Sequence, residues 1–331
     1  MFIIDDYLTA VLLCVVTMLC WGSWANTQKL ASSHWRFELF YWDYALGILI
    51  SSILLAFSLG SVGDEGRSFM PDLNQASQEN LFSAFLGGVI FNAANILLVA
   101  AISIAGMSVA FPVGIGIALV LGVLVNYLAS PQGNPLLILG GVALISLAII
   151  LNARAYKQLN EGAEKLSTKG LILSVISGCL MGLFYKYVAA SMATNFVDPE
   201  MGKLSPYTAL VLFSVGIMAS SFVFNTWQMK KPFSGEAVSF QEYFQGSFQD
   251  HLMGILGGGI WFIGMALSIL ASEKAGPAVS YGLGQGATVV AAIWGIFIWK
   301  EFAQAKPSTR MMLNWMLLFY IVGLALLIVA K

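Results

Sequence analysis

Apolar stretches long enough to cross a membrane follow one another along almost the whole chain, and this feature most limits how it can fold. A helix needs about 20 apolar residues to span a hydrocarbon core of about 30 Å. Hydrophobic residues make up 58% of the 331 residues and charged residues only 10%, which is too little charge for the exterior of a soluble protein of this size. The sequence therefore predicts an all-α integral membrane protein.

Ten candidate transmembrane helices can be read from the hydropathy pattern. They cover residues 7–28, 37–59, 80–102, 106–128, 134–153, 169–193, 205–228, 249–272, 275–299 and 310–330. Only three connections are longer than a tight turn, at 60–79, 154–168 and 229–248, and none is long enough for an independent domain. We expect a single transmembrane domain over residues 1–331 and no enzymatic activity.

Lys and Arg are unequally divided between the two sides of the predicted helices. One side, formed by the loops after the first, fifth, seventh and ninth helices, carries Lys29, Arg36, Arg154, Lys157, Lys165, Lys169, Lys230, Lys231, Lys300, Lys306 and Arg310. The opposite side carries Arg67, Lys203, Lys274 and Lys331. Because loops rich in Lys and Arg remain in the cytoplasm, both termini are predicted to lie outside. We expect a multi-pass protein of the inner cell membrane, with its first helix retained rather than cleaved as a signal peptide.

The two halves of the chain resemble each other when they are aligned with a fixed offset. Residues 87–116 and 257–286 are identical at ten of thirty positions, and five of these matches are glycines. Five helices per half is an odd number, so the second half must enter the membrane upside down. The sequence predicts two inverted five-helix repeats, residues 1–153 and 169–331, an architecture of secondary transporters that bind substrate near mid-membrane. Shared membrane composition is the competing explanation of the matches.

The fourth and ninth predicted helices are rich in Pro and Gly at corresponding places. Both residues loosen helical hydrogen bonding, which is tolerated in a membrane only where neighbouring helices or a cavity satisfy the freed groups. Ordinary close packing of helices explains any single glycine equally well, but the paired placement predicts a helix break or gate near the substrate. The residues concerned are Pro112, Gly114, Gly116, Pro277, Gly282, Gly284 and Gly286.

Two ionisable residues are candidates at membrane depth. Asp43 lies within the second predicted helix, and a carboxylate at a helix centre costs about 2.5–3.5 kcal/mol on insertion scales. Removal from water favours its protonated form, so Asp43 is predicted to couple transport to H⁺, unless it is an interfacial residue among aromatic anchors. Lys186 is the one clearly intramembrane cation; it either contacts substrate or an acid, or extends to the outer surface.

Neutral amides and flat rings make up the remaining candidates. Asn92 and Asn95 share a helix face, and Gln285 lies in the glycine-rich ninth helix. Amides beside aromatic platforms suit an uncharged, flat or ring-shaped solute; interhelical Asn contacts and interfacial Trp belts are the competing explanations. The predicted substrate-binding residues are Trp21, Trp24, Asn92, Asn95, Lys186, Trp261, Tyr281 and Gln285.

Several of these motifs resemble known transporter families. The ten-helix repeat and Cys20-Trp21-Gly22-Ser23-Trp24 resemble the drug/metabolite transporter superfamily. The ureide permease family is similar at Asp43-Tyr44-Ala45-Leu46, Gly106-Met107-Ser108-Val109, Tyr207-Thr208-Ala209 and Trp294-Gly295-Ile296. The bacterial glucose/ribose and rhamnose porters are similar at Gly259-Ile260-Trp261-Phe262-Ile263-Gly264 and Ser280-Tyr281-Gly282-Leu283-Gly284-Gln285.

These resemblances imply proton-linked uptake of a small neutral solute. Because Gln285 and the sugar-porter motif at 259–264 lie where substrate should bind, we expect a sugar first, with a ureide or nucleobase-like permease as the alternative. Multidrug export is less expected, since residues 7–28 contain no acid. We expect no cofactor apart from the coupling ion, no metal site and no nucleic-acid partner, with the lipid bilayer around a monomer or homodimer.

Overall fold

The fold is built from helices. The structure, a computed structural model, describes residues 1–32, 34–105, 107–159, 167–233 and 235–330. Within these ranges there is no β-strand beyond one isolated bridge, between Met192 and Leu204. Eight of the described helices are long and apolar enough to cross a membrane. The predicted multi-pass helical membrane protein is therefore confirmed.

The helices follow one another closely along the chain. They are α1 (Tyr7–Ser23), α2 (Asn26–Leu30), α3 (Phe37–Phe57), α4 (Phe69–Gln75), α5 (Gln78–Ala105), α6 (Met107–Ala129), α7 (Pro135–Leu159), α8 (Thr168–Ser191), α9 (Pro206–Lys230), α10 (Phe240–Phe244), α11 (Phe248–Ala275), α12 (Pro277–Gly284), α13 (Ala287–Ile293), a π-helical turn (Trp294–Ile298) and α14 (Pro307–Ile328). Two of the ten predicted spans are not among these eight: α1 (Tyr7–Ser23) is 17 residues long, and the described apolar part of α6 is Val113–Ala129. The ten-span count thus stays a prediction.

Two predicted spans are interrupted. The first, 7–28, ends as a helix at Ser23 and resumes as the short α2. The ninth, 275–299, divides into α12 and α13 and closes in the π-helical turn. The division falls at Gln285 and Gly286, after Gly282 and Gly284, because glycine is a poor helix former. Two connections predicted as loops also contain the short helices α4 and α10.

The helices of the two halves are interleaved. α5 packs against α8 and α9, and α11 packs against α1 and α3. α6 contacts α8 and α7, while α1 contacts α12 and α13, and α12 contacts α14. The pairs α3–α9, α6–α12 and α7–α14 join one half to the other directly. Each half therefore buries much of its surface against the other half.

Glycines let two of these helix pairs touch backbone to backbone. A Cβ atom built on Gly88 of α5 would lie 2.0 Å from the carbonyl oxygen of Phe213 in α9. A Cβ atom on Gly258 of α11 would lie 2.0 Å from the carbonyl oxygen of Tyr44 in α3. No side chain fits in that space, so glycine is required at both positions. Close approach at small residues is a general way in which membrane helices associate.

The substitutions Gly88→Ala and Gly258→Ala are each expected to destabilise the protein by about 1–3 kcal/mol, because the new methyl group overpacks the helix contact. The measurement is the melting temperature of the detergent-purified protein. Gly116→Ala is the matched control, since no described atom lies within 4 Å of a Cβ at that position. A melting temperature lowered equally by all three substitutions would contradict the backbone-contact assignment.

Candidate functional site

A cavity of about 660 Å³ lies between the two halves of the chain. Its wall comes from α1, α2, α5, α6, α7, α8, α11 and α13, with residues at both ends of α13. Trp261, near the middle of α11, and Asn95, in the second half of α5, both lie on the wall, so the cavity reaches well into the bundle. This volume is in the range that binds small molecules in proteins.

Stacked aromatic rings form the apolar part of the wall. The rings of Trp21 and Trp261 have centroids 5.8 Å apart and planes 11° apart. Trp21 Nε1 donates a hydrogen bond of 3.1 Å to the Trp261 carbonyl oxygen, and the Phe91 ring lies 4.4 Å from the Trp261 ring. These contacts hold the rings in place, so the cavity offers rigid surfaces against which a flat solute can pack.

Four side-chain amides reach the same wall, and three of them, Asn95, Asn152 and Gln285, have a polar atom without a partner among the described residues. Asn95 and Gln285 are 6% and 8% exposed, and no described residue bonds Asn95 Oδ1 or either polar atom of the Gln285 side chain. Asn152 Oδ1 is also buried without a partner among the described residues. Buried amide groups left unbonded are costly, so these three are available to a polar solute.

Charge on the described wall is confined to one end of the cavity. Lys29 Nζ lies 3.3 Å from Glu301 Oε1 and 4.7 Å from the centre of the Trp299 ring. Tyr156 donates a 2.8 Å hydrogen bond to Glu301 Oε2. The Lys29 side chain is half exposed, so this end is the mouth. The deeper wall has no charged side chain, which favours a neutral solute because a buried ion would lack a counterion there.

Five of the predicted substrate-binding residues lie on this wall, and two lie behind it. Asn92 is fully buried between helices, where it accepts from Tyr41 and donates to Ser220. Tyr281 is also fully buried, and its hydroxyl donates to backbone carbonyls. The five residues on the wall are Trp21, Trp24, Asn95, Trp261 and Gln285.

Lys186 lies at a separate, smaller cavity of about 260 Å³. This second cavity is lined by the ends of α6, α8 and α11 and by Lys203 and Glu273. Tyr185, the neighbour of Lys186, is fully buried and bonds Ser268. Met181 and Phe184 of the same helix line the larger cavity. α8 therefore runs from the larger cavity to the smaller one.

Asp43 is buried between α3 and α11, away from the described cavity wall. Tyr243 of α10 donates a 2.7 Å hydrogen bond to Asp43 Oδ1, and His251 Nδ1 lies 2.9 Å from Oδ2. The Trp35 ring packs on both partners. Burial, together with the bond to Asp43, raises the pKa of Tyr243, so the tyrosine remains a protonated donor. The Asp43 side chain is 2% exposed and that of His251 26%.

The predicted gating residues have different surroundings, and those that the structure describes lie off the described cavity wall. A Cβ atom on Gly284 would lie 2.7 Å from the Trp21 ring, and one on Gly286 would lie 2.5 Å from Met18 Sδ. These two glycines therefore let α1 approach the broken helix closely. Of the others, Gly114 and Gly282 also meet neighbouring side chains, Gly116 faces open space, Pro277 begins α12, and the side chain of Pro112 lies outside the described residues.

Several residues of the wall were not predicted from the sequence. Asn152 and Trp299 lie at the ends of predicted helices, and Lys29, Tyr156 and Glu301 lie in predicted loops. Polar residues at such places usually lie at the membrane interface, so their positions in the sequence did not indicate that they line a cavity. Only the packing of the halves brings them together.

The chain was compared with known proteins. The sequence profile of the Ureide permease family matches residues 40–169 and 160–330. Ureide permease 1 of Arabidopsis thaliana is 22% identical over 389 aligned residues, which cover 100% of this chain and 99% of that protein. Ureide permease 4 of the same plant is 23% identical over 401 residues, with 100% and 99% covered.

A protein of known crystal structure shares the fold, with a TM-score of 0.62 and 12% sequence identity. The match covers 97% of this chain and 98% of that chain. At this identity the likeness shows the fold alone. Together the comparisons support the ureide permease resemblance and give no support to the sugar-porter or drug/metabolite resemblance.

The substitution Asn92→Leu is expected to destabilise the protein by about 1–3 kcal/mol, because it leaves the buried hydroxyl of Tyr41 without its acceptor. Asn152→Leu is the matched control, since Asn152 Oδ1 has no partner within the described residues. The measurement is the melting temperature in detergent, expected to fall for Asn92→Leu and to stay or rise for Asn152→Leu. The reverse order would contradict the distinction between an interhelical amide and a cavity amide.

Proposed function

This chain belongs to the ureide permease family, and on that premise we propose that it is a secondary carrier of small, neutral, flat solutes of the ureide class. Membership makes it a membrane transporter rather than an enzyme. The observation that carries the solute class is the cavity, whose uncharged inner wall combines stacked indoles with three amides that each keep an unbonded polar atom among the described residues. A cyclic ureide offers a flat ring for the indoles and an –NH–CO–NH– group for the amides.

A sugar was the first expectation from the sequence, and it rested on Gln285 and on the motif at 259–264. Family membership favours the ureide alternative instead. Gln285 serves a ureide equally well, because its amide can donate to a ring carbonyl and accept from a ring N–H. The two buried amides Asn95 and Gln285, and the half-buried Asn152, would then hold the polar edge of the ring.

We also propose the inverted five-helix architecture, residues 1–153 and 169–331. Exchange of the two halves maps the pair α5–α8 onto α11–α1, α5–α9 onto α11–α3, and α6–α7 onto α12–α14. The glycine contacts support the same exchange: Gly88 and Gly258 are 170 residues apart, and their partners Tyr44 and Phe213 are 169 apart. Helix pairs related in this way are what two copies of one inverted unit produce.

The cavity position supports a binding site between these repeats. Phe91 and Trp261 are equivalent in the repeat alignment, and their rings are in contact on the cavity wall. Ile115 and Gln285 are likewise equivalent, and both line the cavity. Carriers of inverted-repeat architecture bind their substrate at such an interface and alternate its access. With the mouth on the Lys- and Arg-rich side, the cavity in this structure faces the cytoplasm, and both termini lie outside.

The coupling ion in this proposal is H⁺, held by Asp43. Support comes from the burial of that carboxylate and from His251, whose partly exposed ring links it to the surface. Asp250 is a further acid near the site, held at the start of α11 by Ser247. The Asp43 carboxylate lies between α3 and α11, so its protonation can change how these helices pack without contact with the solute.

Allantoin and uracil are expected to stabilise the detergent-purified protein, whereas glucose and rhamnose are not. A ligand that binds only the folded state stabilises it by about 2.7 kcal/mol at one hundred times its Kd, which a thermal-shift assay detects. A shift with a monosaccharide and none with either ureide would refute the proposed solute class.

Gln285→Leu is expected to lower affinity for these ureides about tenfold, which corresponds to the loss of one hydrogen bond. Gln228→Leu is the matched control, because Gln228 is also buried with an unbonded Oε1 among the described residues but lies off the described cavity wall. Isothermal titration of both variants makes the comparison. An equal loss in both would show a general packing effect instead of solute contact.

Asp43→Asn is expected to abolish accumulation driven by a pH gradient in proteoliposomes while ligand binding persists. Glu301→Gln is the comparison variant, because Glu301 is the acid found on the described cavity wall. If Glu301→Gln loses the pH-driven accumulation and Asp43→Asn keeps it, the coupling residue is Glu301 and the assignment to Asp43 is wrong.

A further inference from the structure

One amide of the cavity wall, that of Asn95, is held in a single orientation by a hydrogen bond to a residue outside the cavity. We propose that Asn95 presents a fixed acceptor, its Oδ1 atom, to a bound solute. A solute must then place an N–H group at that point, which selects cyclic ureides that keep a free ring N–H. In this proposal Asn95 is the specificity-determining residue, and Asn92 and Tyr41 are positioning residues. The inference rests on the proposed function and extends it.

The orientation begins at α9, where three acceptors surround the amide nitrogen of Asn92. Asn92 Nδ2 lies 3.2 Å from the Ile217 carbonyl oxygen, 2.7 Å from Ser220 Oγ and 3.2 Å from Ser221 Oγ. A carbonyl cannot donate. Each serine gives its own hydrogen to a helix carbonyl, Ser220 to Gly216 and Ser221 to Ile217. The Asn92 NH₂ group must therefore face α9, and its Oδ1 must face α3.

Tyr41 passes this polarity on to Asn95. The Tyr41 hydroxyl lies 2.7 Å from Asn92 Oδ1, and because that oxygen only accepts, Tyr41 donates its single hydrogen there. The Tyr41 oxygen then accepts from Asn95 Nδ2 at 3.2 Å. Asn92 and Tyr41 are fully buried, so bulk water does not compete for these bonds. The remaining polar atom of Asn95, Oδ1, is left for the cavity.

A reversed Asn95 amide is disfavoured by the same chain of bonds. Rotation of the amide by half a turn would set Asn95 Oδ1 against the Tyr41 oxygen, whose hydrogen is already given to Asn92. Two lone pairs would then face each other in a buried place. Gln285 has no such anchor among the described residues, so its amide can turn to suit either edge of a ring. The fixed acceptor is a property of Asn95.

The decisive probes are uracil and two dimethylated forms of equal added size. 1,3-Dimethyluracil has lost both ring N–H groups, whereas 5,6-dimethyluracil keeps them. Titration of the purified full-length chain is expected to show uracil and 5,6-dimethyluracil bound, with 1,3-dimethyluracil at least about tenfold weaker than 5,6-dimethyluracil. Equal affinities for the two dimethyl compounds would overturn the proposal without any variant being made.

Tyr41→Phe tests whether the chain of hydrogen bonds from Asn92 through Tyr41 to Asn95, called the relay below, fixes the orientation of the Asn95 amide. Without the hydroxyl, the Asn95 amide is free to turn, so the preference for 5,6-dimethyluracil over 1,3-dimethyluracil is expected to shrink toward one. Tyr207→Phe is the matched control: it removes the hydroxyl of a buried tyrosine that bonds the Phe2 carbonyl at 2.9 Å and takes no part in the bonds among Tyr41, Asn92 and Asn95. An unchanged preference in a folded Tyr41→Phe protein would refute the relay.

The outcomes distinguish a failure of the proposed function from a failure of the Asn95 inference alone. A wild-type protein that binds neither uracil nor allantoin would overturn the proposed function and this inference with it. A wild-type protein that binds uracil and accepts 1,3-dimethyluracil equally would overturn only the polarity of Asn95. The preference is a ratio of two affinities measured on one protein, so a general loss of stability in a variant does not alter it.

Discussion

Backbone contact at two glycines is the constraint on which the rest of this structure depends. Lipid gives helices no hydrophobic reason to associate, so close packing must hold them together. At Gly88, α5 contacts the Phe213 carbonyl group of α9. At Gly258, α11 contacts the Tyr44 carbonyl group of α3. These contacts fix how far α5 can slide along α9 and α11 along α3, and the cavity lies between the pairs they fix.

The same contact sets the register of the polar groups. Asn92 lies one helical turn beyond Gly88, and Ile217 lies one turn beyond Phe213. The glycine contact therefore brings the Asn92 amide to the Ile217 carbonyl, from which the orientation of Tyr41 and Asn95 follows. The packing contact at Gly88 thus determines which atom of the Asn95 side chain faces the solute.

The sequence predicted the membrane helices well, because apolar length is a direct signal of a span. It also identified Trp21, Asn95, Trp261 and Gln285, which lie on the cavity wall. It did not separate Asn92 from Asn95, since both lipid-facing and core-facing sides of these helices are apolar and give no direction to a face. The contact of Lys29 with Glu301, residues 272 positions apart, depends on tertiary packing alone.

The polar relay belongs to only one half of the chain. At the positions of the second half that align with Tyr41, Asn92 and Asn95, the sequence has Leu210, Phe262 and Met265. The helix arrangement is thus duplicated, whereas the hydrogen bonds among Tyr41, Asn92 and Asn95 are not. Substitution at Tyr41, Asn92 or Asn95 would change the hydrogen-bonding group presented to the solute, while the buried apolar residues aligned with them would keep a packing role through such divergence.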